Sequence, residues 1–147
     1  MAKILIIEDD PLMSRMYQKI FSFEQYDVDM ANDGEEGLLK AKNLKPTAIL
    51  LDVMMPKLNG FQVLERLKLD PDLKDIPVIM LTNLASEQDA ETAMLKGAVK
   101  YIVKSQYDPK EVTKMVKEII IANSRDEIPT TDVVATQPVP AQPEQSI

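Results

Sequence analysis

The sequence predicts a doubly wound α/β domain, a five-stranded parallel sheet flanked by five helices. Short apolar, β-branched runs alternate five times with segments whose apolar residues take helical spacing. Parallel strands need right-handed crossovers, and these put helices on both faces of the sheet. "KILIIE" (residues 3–8) is β1. After "DDP", Leu12, Met13, Met16 and Ile20 recur at helical spacing and predict α1, with Asp10 as N-cap before Pro11. "YDVDMA" (26–31) alternates as β2, "GEEGLLKAKNLK" (34–45) is α2, and "TAILLD" (47–52) is a buried-type strand, β3. Gly60 serves the turn into α3, "FQVLERLKLD" (61–70), where Phe61, Leu64 and Leu67 share a face. "PVIMLT" (77–82), fenced by Pro77, is β4. "SEQDAETAMLKG" (86–97) is α4, capped by Ser86 and stopped at Gly97. "VKYIVK" (99–104) is β5. In "DPKEVTKMVKEIIIA" (108–122), α5, Asp108 caps, Pro109 takes the first turn and Glu111 completes a capping box. Val112, Met115, Val116, Ile119 and Ile120 form its apolar face. From Ser124 the periodicity stops. The expected organisation is therefore a domain over residues 1–123 and a disordered Pro-, Gln- and Thr-rich tail over 124–147. Val134 and Val139 in that tail read as linker remnants, with a partner-docking anchor as the alternative.

A chain of 147 residues accommodates one ordinary domain with a sizeable core. The net charge of -7 argues against a nucleic-acid or anionic-membrane surface, since both need clustered Lys and Arg. The absence of cysteine excludes disulfides and thiol chemistry, and the absence of histidine removes the commonest general base and metal ligand. The run Ile4 to Ile7 is too short for a signal-peptide core or a spanning helix. The expectation is a cytoplasmic protein with no nucleic-acid partner and no membrane insertion.

Ligands of open α/β sheets sit beyond the carboxyl ends of the strands. There Glu8, Asp9 and Asp10 follow β1, Asp52 ends β3, Thr82 ends β4 and Lys104 ends β5. Two carboxylates about 4 Å apart repel by about 4 kcal/mol at an effective dielectric of ~20, so a cluster of Glu8, Asp9 and Asp52 requires a raised pKa or a cation. Mg2+, which takes oxygen ligands and pairs carboxylates with substrate phosphate, suits it. An aspartate carboxylate there can attack phosphorus. Mg2+, the Lys104 ammonium and the Thr82 hydroxyl would each then meet one phosphoryl oxygen. Taken singly, Asp52 is a turn former before Pro56, Thr82 a strand-end hydroxyl, Lys104 a solvated charge and Tyr101 a half-buried sheet residue. Their coincidence at one sheet edge favours chemistry. Met54, Met55, Met80 and Met94 read as filler in core or loop.

The motifs "ILIIEDD", "LLDVMMPKLNG", "IMLTN" and "KYIVKS", in that order, make residues 1 to about 123 resemble a response-regulator receiver domain of the CheY-like, stand-alone kind. The resemblance implies the strand order 2-1-3-4-5 of flavodoxin-like and CheY-like folds. It implies that Glu8, Asp9, Asp52 and the backbone carbonyl of Met54 hold Mg2+, that Asp52 is the phosphoacceptor and that Lys104 contacts the phosphoryl group. Thr82 is then the switch hydroxyl and Tyr101 the aromatic that changes rotamer. The implied donor is a sensor histidine kinase or phosphotransfer protein. Output would go to a protein target through the α4, β5, α5 face of a monomer or weak dimer. Receivers usually carry proline after the β5 lysine, often after a cis bond. Here it is Ser105, and a cis Lys104–Ser105 bond is expected because the lysine geometry depends on that turn.

Other classes fit less well. A flavodoxin-like flavin carrier needs a phosphate-cradling loop after β1, and this one is acidic. A haloacid-dehalogenase-type phosphatase wants a second aspartate two positions after its nucleophile, where Met54 stands. A receiver-like scaffold that is never phosphorylated is the alternative.

Overall fold

In a computed structural model, which describes residues 2–127, the five apolar runs form five strands. They are β1 (Lys3–Ile7), β2 (Asp27–Ala31), β3 (Ala48–Leu51), β4 (Val78–Thr82) and β5 (Lys100–Val103). All pairings are parallel, in the order β2-β1-β3-β4-β5, as predicted. The described residues fall into two units, one ending at Val116 and one beginning at Lys117. In the first, strand residues alternate between two apolar layers. Leu5, Ile7, Ile49, Leu51, Val78 and Met80 share one core cluster with Val63, Leu64, Leu67 and Ala93. On the other face Tyr17 meets Ile6, Leu50 and Leu81 around a small void.

The helices are α1 (Pro11–Phe23), α2 (Gly34–Leu44), α3 (Gly60–Leu69), α4 (Glu87–Leu95) and α5 (Pro109–Glu127). Their caps follow the sequence. The Asp10 carboxylate accepts from Leu12 N at 3.0 Å, Ser86 Oγ accepts from Gln88 N and Asp89 N, and Gly97 turns the chain after α4 at φ 110°. Asp108 and Glu111 make the reciprocal capping box. A second box, Asn59 with Gln62, starts α3 at Gly60, one residue before the predicted start.

Three expectations change. The buried line of α1 is Ser14, Tyr17 and Phe21, one residue round from the predicted Met13, Met16 and Ile20, and Leu12 is 75% exposed. Two rings at i, i+4 outweigh the aliphatics, and Phe21 also meets Tyr26 edge-on at 6.0 Å. Second, α5 runs to Glu127, past its predicted end at Ala122, because Ser124 to Glu127 contain no proline or glycine. The remainder of the expected tail, with Val134 and Val139, lies outside the described residues. Third, the Lys104–Ser105 bond is trans, as there is no cis peptide among the described residues. Serine lacks the ring that makes cis affordable, and cis would cost about 3 kcal/mol. Instead Lys104–Gln106 forms one 3-10 turn.

Candidate functional site

The sheet fixes the acids by continuing its ladder one residue past each strand. Glu8 N donates to Ala31 O at 3.1 Å, and Asp52 N donates to Ile7 O at 3.1 Å. The buried Ser14 hydroxyl ties the first turn of α1 to the Glu8 carbonyl at 3.3 Å, a contact that no sequence motif announces. Glu8 and Asp52 are buried and Asp9 is exposed, with carboxylate oxygens from all three within 4.8 Å of one another. The 3-10 turn after β5 delivers Lys104, whose ammonium lies 2.5 Å from Glu8 Oε1 and 3.9 Å from Asp52 Oδ2. A trans peptide therefore suffices to aim the lysine.

One ammonium facing three carboxylates leaves excess negative charge. Burial, reinforced by the charge of Asp52 and opposed by Lys104, pushes the Glu8 carboxyl up to about 7. The Met54 carbonyl accepts no hydrogen bond among the described residues. An all-oxygen donor set with uncompensated charge and a spare carbonyl fits a hard divalent cation such as Mg2+.

This electrostatic arrangement has a pH signature. Because Glu8 holds its proton more tightly when folded, its stabilising contribution is present below about pH 4.5 and is lost as pH rises through about 7. In chelator, melting temperature should fall between pH 5 and 8 by an amount reflecting on the order of 2–3 kcal/mol. Glu8→Gln should flatten this slope, and millimolar Mg2+ should restore wild-type stability at pH 8. Equal slopes in wild type and Glu8→Gln would remove Glu8 as the cause.

After Asp52 the chain forms a tight loop. Asp52 Oδ1 accepts from Met54 N at 3.3 Å, Met55 N and Gly60 N both donate to Val53 O, and Leu58 N donates to Pro56 O. A Cβ at Gly60 would strike the Asp52 carbonyl oxygen and approach Val53 Cα to 2.7 Å. Gly60→Ala should cost about 3 kcal/mol in urea unfolding and displace Asp52. A variant of wild-type stability would show that the loop yields easily. Met55 and Leu58 are buried, as is Met80, but Met54 is 61% and Met94 47% exposed. These two keep much of their side chains in solvent. Met54, Leu84, Phe61 and Asn59 border an open groove of about 480 Å³.

The remaining predicted residues meet at Leu84. Its N–H donates to the fully buried Thr82 Oγ1 at 3.2 Å, and its carbonyl accepts from the Tyr101 hydroxyl at 2.6 Å. Burial, then the charges of Asp89 and Asp52, push that phenol up to about 12, so it remains a donor. The sequence reading paired Thr82 with Tyr101 and missed the backbone that joins them.

Residues 4–117 match the family described as the response regulator receiver domain. The chain belongs to the receiver domains. Receiver domains are phosphoacceptor signalling modules of two-component regulators, and the family binds Mg2+ at an acidic pocket. This receiver is 39% identical over 125 residues to the DNA-binding dual master transcriptional regulator RpaA of Synechocystis sp., covering 85% of this chain and 52% of RpaA. It is 38% identical over 118 residues to the alkaline phosphatase synthesis transcriptional regulatory protein PhoP of Bacillus subtilis, covering 80% and 48%. The receiver thus spans about half the length of these relatives. Among solved structures, a CheY-like receiver from Methanospirillum hungatei superposes with a TM-score of 0.78 at 30% identity, covering 86% of this chain and 98% of that one. Vibrio cholerae CheY4 does so at 0.75 and 29%, covering 80% and 98%. Among the described residues no helix is long and apolar enough to cross a membrane.

Proposed function

We propose that Asp52 accepts a phosphoryl group from a histidine kinase or phosphotransfer protein and signals through phosphorylation-dependent protein contacts. The observation that carries this is the juxtaposition of a buried Asp52 carboxylate with Lys104 at 3.9 Å and two further acids. Mg2+, held by Glu8, Asp9, Asp52 and the Met54 carbonyl, would neutralise charge on the phosphoryl oxygens when bound. The Asp52 oxygen attacks phosphorus in line as the bond to the donor nitrogen breaks, and the departing imidazole takes a proton. Lys104 shifts its ammonium from Glu8 toward a phosphoryl oxygen. The Met54 N–H already points at Asp52 Oδ1 and holds the carboxyl in place.

The switch follows from Leu84. If the Thr82 hydroxyl swings to a phosphoryl oxygen, Leu84 N loses its acceptor, and the loop whose carbonyl holds Tyr101 is released. One local bond thus biases a two-state arrangement beside α4 and β5, where Leu95 and Val99 are exposed.

Incubation with acetyl phosphate and Mg2+ should add one phosphoryl group by mass. A chain that gains none would favour the scaffold reading. Thr82→Ala should still accept phosphate but lose most phosphorylation-dependent binding of any partner captured by the phosphorylated wild type, tenfold or about 1.4 kcal/mol. Undiminished binding would count against the Leu84 linkage.

A further inference from the structure

We propose that Met54 is a reversible oxidation site at which a hydroperoxide shortens the lifetime of the phosphoryl group on Asp52; the effect on lifetime rests on the phosphoacceptor reading above. Met54 lies two residues beyond Asp52, and its amide donates to Asp52 Oδ1 at 3.3 Å. At 61% it is more exposed than Met94 at 47%, while Met55 is 8% and Met80 0% exposed. Its open groove, shared with Phe61 and Leu84, lets a small oxidant reach sulfur without any opening of the core. Susceptibility to peroxide follows such exposure.

In the reaction, a sulfur lone pair attacks one peroxide oxygen. The S–O bond forms, the O–O bond breaks, and the departing oxygen takes a proton and leaves as water or alcohol. Sulfur loses two electrons and the peroxide gains them. Methionine sulfoxide reductases reverse the change. A thioether is a weak acceptor and, on a residue whose amide reaches Asp52 Oδ1, can act only as an apolar screen. The sulfoxide oxygen is a strong acceptor on the same tether, able to hold a water for in-line attack on phosphorus. One added oxygen turns a screen into a water-positioning group.

The test exposes the full chain to hydrogen peroxide, stopped while peptide mass mapping still finds Met55 and Met80 unmodified. Phosphorylation with acetyl phosphate and Mg2+ follows, and phospho-Asp52 decay is timed after the donor is removed. Met54 sulfoxide should form before Met94 sulfoxide, and decay should quicken about three- to tenfold. Treatment with methionine sulfoxide reductases should return the original rate. Peroxide should leave the decay of Met54→Leu at that variant's own untreated rate, whereas Met94→Leu should respond as wild type does. Oxidation of Met94 ahead of Met54, unchanged or slower decay after Met54 oxidation, or equal acceleration in Met54→Leu would overturn the proposal. If the untreated chain takes up no phosphoryl group, the phosphoacceptor reading fails and the lifetime effect with it, while the mapping still reports separately on Met54 oxidation.

Discussion

An Asp52→Asn chain should take up no phosphoryl group from acetyl phosphate and Mg2+, and in chelator at pH 8, where Glu8 is ionised, it should unfold at higher urea than wild type. The first effect is all or none, because an amide oxygen is not a competent nucleophile toward phosphorus and, among the described residues, no other carboxylate sits buried beside Lys104 except Glu8, which that lysine already occupies at 2.5 Å. The second effect is electrostatic. Asp52 adds to the forces that push Glu8 upward, and two carboxylates about 4 Å apart repel by about 4 kcal/mol at an effective dielectric of ~20. The 3.9 Å approach of Lys104 to Asp52 Oδ2 offsets part of this, so a net gain of about 1–2 kcal/mol is expected. The asparagine keeps an oxygen for the Met54 N–H, so the loop has no reason to rearrange. Mass spectrometry reads the first effect and urea unfolding the second. Residual phosphorylation would place the acceptor elsewhere, and a loss of stability would mean that Lys104 needs Asp52 more than Glu8 resents it.

How legible all this was in the sequence depended on whether a feature is written locally. Strand order and helix order follow from alternating periodicities, and the caps Asp10, Ser86 and Asp108 each sit within four residues of the groups they satisfy. The acids and Lys104 were legible because each closes or follows a strand, so topology alone brings them to one edge. What was missed depends on contacts distant in sequence or on backbone atoms. The α1 face was misplaced because aliphatic spacing was weighed ahead of the Tyr17 and Phe21 rings, whose partners include Tyr26. Ser14 reaches a backbone carbonyl six residues back, and serine in a helix carries no signal of that kind. Leu84 joins Thr82 to Tyr101 through its N–H and C=O, which every residue except proline possesses. The cis expectation at Ser105 transferred a proline's geometry to a residue without the ring, and a 3-10 turn of trans peptides brings the Lys104 ammonium to 2.5 Å from Glu8 and 3.9 Å from Asp52.

The phosphoryl group on Asp52 should be long-lived, and a Met54→Asn, Leu84→Glu double variant should lose it at least about tenfold faster. Hydrolysis needs a water in line with the bond to Asp52, and the resemblance to receiver domains implies that the side chains two residues after the phosphoacceptor and two after the switch hydroxyl line that water's path. Met54 follows Asp52 by two residues and Leu84 follows Thr82 by two, and both border the same groove. Neither orients water well: leucine has no acceptor and the thioether is a weak one. Asparagine and glutamate supply acceptors at both positions, converting an apolar approach into one that fixes the nucleophile. The bonds from Leu84 to Thr82 and Tyr101 run through its backbone, so replacing the side chain leaves the proposed switch linkage in place. Met54 contributes its proposed metal-facing carbonyl through the backbone as well, so uptake of phosphate should survive the double change while decay accelerates. The first-order decay of phospho-Asp52 in wild type, each single variant and the double variant measures this directly. Decay that is unchanged or slower in the double variant would sink the idea, and would shift control of the lifetime to motion of the loop between Val53 and Gly60.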